Sequence, residues 1–248
     1  MGSSWFIFAK VKLRSLWVPL QCMRKQVHFQ DLGLAAYQPV WDLQEQLLKE
    51  NIERKTKGEQ GIHHLLFVEH PPVYTLGKSG KREHVFIGEE EMMQRQIDFF
   101  QTNRGGDITY HGPGQLVGYP ILDLEQFYTD IGRYLRELEE VIILTLAHYG
   151  LKGERSKGET GVWLDPLLPG KARKICAMGV RCSRWITMHG FALNVCNDLS
   201  YFNHIVPCGI PDKSVTSLEK ELQHPLQLAE VKKVVQSNFK KVFEVEWI

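Results

Sequence analysis

Read for hydrophobic periodicity, the chain alternates between strand-like and helix-like stretches from about residue 27 onward. Val27–Phe29 reads as a short strand. Tyr37–Arg54 sets Tyr37, Trp41, Gln44 or Glu45, and Leu48 at helical spacing with charge toward its end, which predicts an amphipathic helix. A loop, Lys55–Gly61, leads into His64–Glu69, whose run Leu65-Leu66-Phe67-Val68 reads as a buried strand ended by Pro71 and Pro72. Val73–Leu76 is a second strand, and Glu89–Phe100 is expected to be a helix.

Val117–Leu122 reads as a further strand. Asp130–Tyr149 carries Ile131, Leu135, Leu138, Ile142 and Leu146 on one side and is closed by Gly150, a residue suited to a left-handed cap. The pattern then turns β-rich: Gly161–Leu164, Lys174–Arg181 and Trp185–Val195 form a meander with a tight turn at Cys182–Arg184. Leu226–Phe243 returns to helix, with Val231, Val234, Val235, Phe239 and Val242 on one side. No repeat or long linker divides the pattern, so the expectation is a single α+β domain with a mixed sheet.

One stretch stands apart. Arg104-Gly105-Gly106-Asp107-Ile108-Thr109-Tyr110-His111-Gly112-Pro113-Gly114-Gln115 packs four glycines and one proline among polar side chains, just before the Val117 strand. Glycines at such density permit turns and close backbone approach to a ligand, although a surface loop can have the same composition.

Composition narrows the classes. At 248 residues the chain has ample length for a buried core, and a formal net charge of +1 gives no global field to draw it to nucleic acid. Five cysteines, at 22, 176, 182, 196 and 208, are odd in number and form no Cys-x-x-Cys pair, which points to a reducing compartment. Cysteines and histidines between 176 and 208 lack the paired spacing of structural zinc, so no metal site is expected. Met1–Cys22 carries Lys10, Lys12 and Arg14 with no acid, but its apolar runs are split by bases and form neither a secretory core nor a membrane span. It is read as an extension that an overcalled start adds ahead of a domain over residues 23–248, with a transit-like segment as the alternative.

Two residues carry chemistry in more than one reading. Cys208, in Val206-Pro207-Cys208-Gly209, sits where proline fixes the approach and glycine leaves room; a lone cysteine is otherwise most often a small buried hydrophobe. Lys174, in Lys174-Ile175-Cys176-Ala177-Met178-Gly179, reads by itself as a solvent-facing strand lysine beside Lys171 and Arg173. Met178 and Phe191 suit an alkyl chain and equally suit a core.

The string Arg104-Gly105-Gly106-x-x-Thr109-Tyr110-His111-Gly112-Pro113-Gly114-Gln115 resembles the hallmark of the octanoyltransferases of lipoate biosynthesis, and Pro207-Cys208-Gly209 resembles their acyl-accepting element. The likeness runs from about Phe29 to Leu222, with Val206 standing where many members have asparagine. It implies the fold of biotin and lipoate ligase catalytic domains, and acyl transfer from octanoyl-acyl carrier protein to a lysine of lipoyl domains. Those acceptors are the lipoyl domains of 2-oxoacid dehydrogenase complexes and the glycine cleavage H protein.

The resemblance makes Cys208 the acyl carrier and Lys174 its partner. It assigns Arg104, Gly105, Gly106, Asp107, Ile108, Thr109, Tyr110, His111, Ala177, Met178, Gly179, Gly190, Phe191 and Ala192 to substrate contact. His70 and Tyr74 fall in a further matching segment that flanks the pocket, His189 and Asn194 in another that shapes it through hydrogen bonds, and Thr216 is expected to order the loop after Cys208. No cofactor, metal, nucleic acid or membrane is implied, and the compartment is cytoplasmic, or mitochondrial if Met1–Cys22 is a transit segment. The rival readings are an ATP-dependent lipoate or biotin ligase of the same fold and a non-catalytic lipoyl-domain binder. The chain has no Walker-type phosphate loop.

Overall fold

A computed structural model describes residues 24–206 and 214–248; the Met1–Cys22 extension and Cys208 lie outside them. The first strand, β1 (Lys25–Leu34), precedes helix α1 (Tyr37–Thr56), strand β2 (His63–Glu69) and strand β3 (Val73–Leu76). After α2 (Glu89–Gln94) come β4 (Asp98–Gln101), β5 (Ile108–His111) and β6 (Gln115–Ile121). The long α3 (Ile131–His148) leads to β7 (Val162–Leu164), β8 (Arg173–Ser183) and β9 (Ile186–Asn194). Past residue 213 follow β10 (Ser214–Val215), α4 (Leu218–Leu222), α5 (Leu228–Phe243) and β11 (Val245–Trp247).

Among the described residues, the main sheet runs β10-β8-β9-β6-β2-β1-β11, with β7 paired to β8. It is mixed: β1 is parallel to β2 and β11, and β10 to β8, while β2–β6, β6–β9 and β8–β9 are antiparallel. The central β2 explains why its sequence is an unbroken apolar run. Leu65 and Phe67 face α3 and α5, in one core with Tyr134, Leu138, Val141, Ile142, Val235 and Phe239. Leu66 and Val68 face α1, against Val40 and Leu48. A strand covered on both faces has no polar side to alternate.

Asp130 caps α3 by accepting a hydrogen bond from the Arg133 amide at 2.9 Å, and Gly150 closes it at φ +76°, as its sequence position predicts.

A second sheet, β4-β3-β5, sits over its own apolar cluster of Tyr74, Leu76, Ile87, Met92, Ile97, Tyr110, Phe202 and Ile205. Here the expected helix Glu89–Phe100 is corrected. It stops at Gln94, because Gln96 takes a left-handed φ of +55° and the Ile97 amide bonds back to the Met92 carbonyl. The aromatic Phe99 and Phe100 then pair as strand with Tyr74 and Thr75. The expected turn at Cys182–Arg184 shifts by one to Arg184–Trp185, both at positive φ, the conformation that a two-residue hairpin requires.

Phe239 is fully buried and stacks on Phe243 at 4.4 Å between ring centroids. Phe239→Ala is expected to cost about 3–5 kcal/mol of unfolding free energy, measured by chemical denaturation; a change below about 1 kcal/mol would show that α5 is not part of the cooperative core.

Candidate active site

Where β6, β9 and β8 run side by side, the chain uses its smallest residues. Ala177 pairs with Ala192 and Gly179 with Gly190, while Gly118 faces Phe191. The glycines are required by space. A Cβ on Gly190 would come within 2.1 Å of the Gly118 carbonyl oxygen, and one on Gly179 within 2.6 Å of the Gly105 carbonyl oxygen. The result is a trough in the sheet. It opens into a narrow cavity of about 90 Å³.

The opposite wall is the glycine-rich stretch, and its shape is set by hydrogen bonds to its own backbone. Arg104, 8% exposed, donates from Nη2 to the Thr75 carbonyl, to Thr75 Oγ1 (3.1 Å) and to the Asp107 carbonyl (2.8 Å), and from Nη1 to the Gly105 carbonyl (3.0 Å). The amides of Gly77, Lys78 and Ser79 in turn donate to the carbonyls of Asp107, Arg104 and Gly106. Gly106 sits at φ +90°, and a Cβ on Gly77 would fall 2.3 Å from its carbonyl oxygen. Several backbone donors of the stretch are already spent: the Gly105 amide on the Val180 carbonyl, the Ile108 amide on Asp107 Oδ1, the Gly114 amide on Glu69 Oε2 and the Gln115 amide on the Gly112 carbonyl.

All the contact residues expected from sequence border this cavity except Gly105 and Tyr110, and Lys174 borders it too. Gly105 instead ties the wall to β8 through its amide. The Tyr110 ring stacks on Tyr201 at 4.6 Å and meets Phe202 edge-on at 5.6 Å, inside the cluster under the second sheet. Phe191 borders the cavity, but it is 2% exposed and meets Phe67 edge-on, so its ring belongs to the main core. Tyr74 donates to the Tyr201 carbonyl and is structural.

Lys174 is 8% exposed, with its ammonium 4.5 Å over the Trp163 ring. Its strand neighbour on the other side is Val215, and its carbonyl accepts from the Thr216 amide at 3.0 Å. A polar chain locks this corner. His111 Nδ1 donates to Gln115 Oε1 (2.7 Å), Gln115 Nε2 donates to Asn194 Oδ1 (2.9 Å), and Asn194 Nδ2 donates to the Thr216 carbonyl (3.0 Å). Thr216 Oγ1 then donates to Glu221 (2.6 Å), which Arg173 grips with both Nε and Nη2. Arg173 therefore holds the backbone at Lys174 from outside the cavity.

Sequence reasoning left Tyr37, Gln115, Val117, Tyr119, Phe202 and Val215 unassigned, and all border the cavity. The period-2 spacing of Gln115, Val117 and Tyr119 on β6 was the available signal for three of them. The histidines here are neutral. Burial lowers His70 to about 4, and His111 and His189 to about 3. His70 donates from Nδ1 to the Ala35 carbonyl and accepts from the Tyr119 hydroxyl at 2.9 Å. Burial also pushes the Tyr37 hydroxyl up to about 12.

Burial raises the thiols of Cys176, Cys182 and Cys196 above their ordinary range. Among the described residues no cluster of three metal-ligating side chains forms, and no helix is long and apolar enough to cross a membrane.

The lipoyl protein ligase A/B catalytic domain family matches residues 36–240. An octanoyltransferase of Christiangramia forsetii is 56% identical over 90% of this chain and 98% of its own length, and one of Cytophaga hutchinsonii is 55% identical over 89% and 94%. In architecture, the chain resembles a bipartite lipoate protein ligase of Thermoplasma acidophilum, with a TM-score of 0.66 at 16% identity, covering 91% of this chain and 86% of that one. It likewise resembles lipoate-protein ligase A bound with ATP, with a TM-score of 0.66 at 14% identity over 91% and 88%. At those identities the ligases speak to the fold, whereas identity above one half across nearly the whole length speaks to the enzyme. The chain belongs to the octanoyltransferases, acyltransferase enzymes built on the lipoyl protein ligase A/B catalytic domain.

Proposed function

We propose that this enzyme moves an octanoyl group from octanoyl-acyl carrier protein to a lysine of a lipoyl domain, through a thioester on Cys208. The observation that carries the reading is Lys174: a buried cation at the end of a trough of glycine and alanine, closed over by the Arg104–Gln115 string. Phe202 and Val215, on either side of segment 207–213, both border the same cavity. Of the cysteines within the described residues, Cys176, Cys182 and Cys196, none borders the cavity.

The chemistry follows from charge. An isolated thiol has a pKa of about 8.5, and a neighbouring ammonium favours the thiolate. The Cys208 thiolate attacks the donor's thioester carbon, the carrier's thiolate leaves with a proton from solvent or Lys174, and one thioester replaces another at little free-energy change. The anionic partner of Lys174 is then gone. Lys174, which borders the cavity, is then placed to relay the proton that the incoming amine loses. The amine attacks, the amide forms, and the Cys208 thiolate is released. Thioester to amide is downhill, so no nucleotide is needed. In the first half-reaction Lys174 supplies positive charge at the end of the cavity where the oxyanion develops. The cavity histidines, neutral at pH 7, shape the site through hydrogen bonds and carry no proton in this scheme.

Incubation with octanoyl carrier protein and an apo lipoyl domain, without ATP, should give an octanoyl adduct on the enzyme and then on the acceptor, followed by intact mass. Cys208→Ala should lose both products; transfer surviving in that variant would remove the thioester route. A requirement for ATP and free octanoate would mark a ligase instead.

Lys174→Ala should slow transfer by about 10²–10⁴-fold and shift the pH midpoint of Cys208 alkylation upward. An unchanged alkylation profile would confine Lys174 to the second half-reaction.

The neutral histidines also set a pH limit. Their folded values of about 3 to 4 lie below the ordinary 6.5, so their contribution is complete above about pH 6.5 and is lost as pH falls toward 4. Each can add up to about 1.4 kcal/mol per pH unit to the slope. Denaturation midpoints measured from pH 7 to pH 5 should fall; a flat profile would mean that these rings take up protons in the folded enzyme as readily as in the unfolded chain.

A further inference from the structure

Lys174 faces the cavity because its strand carries an extra residue. The β7 neighbours Val162 and Trp163 pair with Cys176 and Lys174 of β8, which leaves Ile175 between them as a β-bulge. Ile175 and Cys176 are both fully buried in the core under α3 and α5, so the alternation of faces is suspended for one step. Lys174 and Ala177 therefore share the opposite face, and both border the cavity. Regular alternation would have set Lys174 on the side of Cys176.

The bulge chooses the face, and Trp163 chooses where on it the ammonium lies. Directly opposite residues of an antiparallel pair hold their side chains on one side, and here the Lys174 ammonium rests 4.5 Å from the centroid of the Trp163 ring. The ring's own place is fixed from behind. The Trp163 amide donates to the Glu154 carbonyl at 2.9 Å, and its carbonyl accepts from the Glu154 amide at 2.8 Å. Two residues earlier, Gly161 at φ +109° passes so close to β8 that a Cβ would lie 2.4 Å from the Cys176 carbonyl oxygen. The Gly161 amide donates to the fully buried Glu139 carboxylate at 3.0 Å, which Arg136 and Arg155 hold in turn. Trp163 is 1% exposed and is not among the residues that border the cavity. It can act on the reaction only through Lys174.

A lysine carries a point charge on a flexible stem. The negative face of an indole attracts that charge and gives it a preferred place, whereas an aliphatic neighbour would only crowd the stem. We infer that Trp163 is a positioning residue for acyl transfer, holding the Lys174 ammonium at the end of the cavity by a cation–π contact. The inference rests on the role proposed above for Lys174.

Fluorine on the indole draws electron density from the ring face with little change of shape, so it separates this contact from packing. In the full-length enzyme with mono-, di- or trifluorinated tryptophan at position 163 alone, kcat for octanoyl transfer should fall stepwise, by about 2- to 30-fold in all. KM for the octanoyl carrier should stay near the wild-type value. Trp163→Phe, which keeps an aromatic face, should retain more activity than Trp163→Leu. Unchanged kcat along the fluorine series would overturn the inference even if Trp163→Leu were slow, because packing alone would then explain that variant. Proton NMR judges the contact without the reaction: the ring current should shift the Lys174 Hε signals upfield, and Trp163→Leu should return them to their ordinary position. Ordinary positions in the wild-type enzyme would also overturn the inference. Absence of octanoyl transfer in the unsubstituted enzyme would count against the reaction proposed above, and the NMR measurement would then decide for Trp163 by itself.

Discussion

The approach of backbone to backbone is the constraint on which the site rests. The turn at Gly105 and Gly106 lies against Gly77 of one sheet and Gly179 of the other, and Gly190 lies against Gly118 across β6 and β9. At each contact a Cβ would have to occupy space already filled by a carbonyl oxygen. This is why the second sheet can sit close enough to the first to enclose a cavity, and why the loops around it are shaped by main-chain hydrogen bonds rather than by side-chain packing. Arg104 completes the arrangement by collecting carbonyl oxygens from β3 and from its own turn.

Electrostatics follow from that enclosure. Removing water disfavours any added charge, so His70, His111 and His189 remain neutral and serve as fixed donors and acceptors. Lys174 is treated differently by the fold: its ammonium lies over Trp163, while the Arg173–Glu221–Thr216 bonds hold its backbone in register with β10. A cationic corner beside a set of neutral rings separates charge stabilisation from ligand shaping. Each task falls to different residues.

Much of this was legible in the sequence, for reasons that can be stated. The β2 run is apolar without alternation because both faces are covered, and Gly150 marks the end of α3 because the cap needs a positive φ. The segment Glu89–Phe100 misled because its apolar positions fit a helix as well as a helix followed by a strand; the break at Gln96 has no glycine to announce it. The Arg184–Trp185 turn hid for the same reason. Within β5 consecutive side chains face apart, so a contiguous family string could not all touch one ligand, and Tyr110 went to the neighbouring aromatic cluster. Tyr37 joins the cavity from α1, where nothing in its helical spacing distinguishes it from an ordinary core residue.

Because the trough is cut into the sheet itself, an acyl chain lying there would act as a temporary piece of hydrophobic core. Each methylene withdrawn from water would strengthen its hold by about 0.8 kcal/mol, on the donor group and on the finished product alike. Longer chains would thus load better and leave more slowly, so the glycines and alanines of β6, β8 and β9 make chain length a question of release as much as of fit.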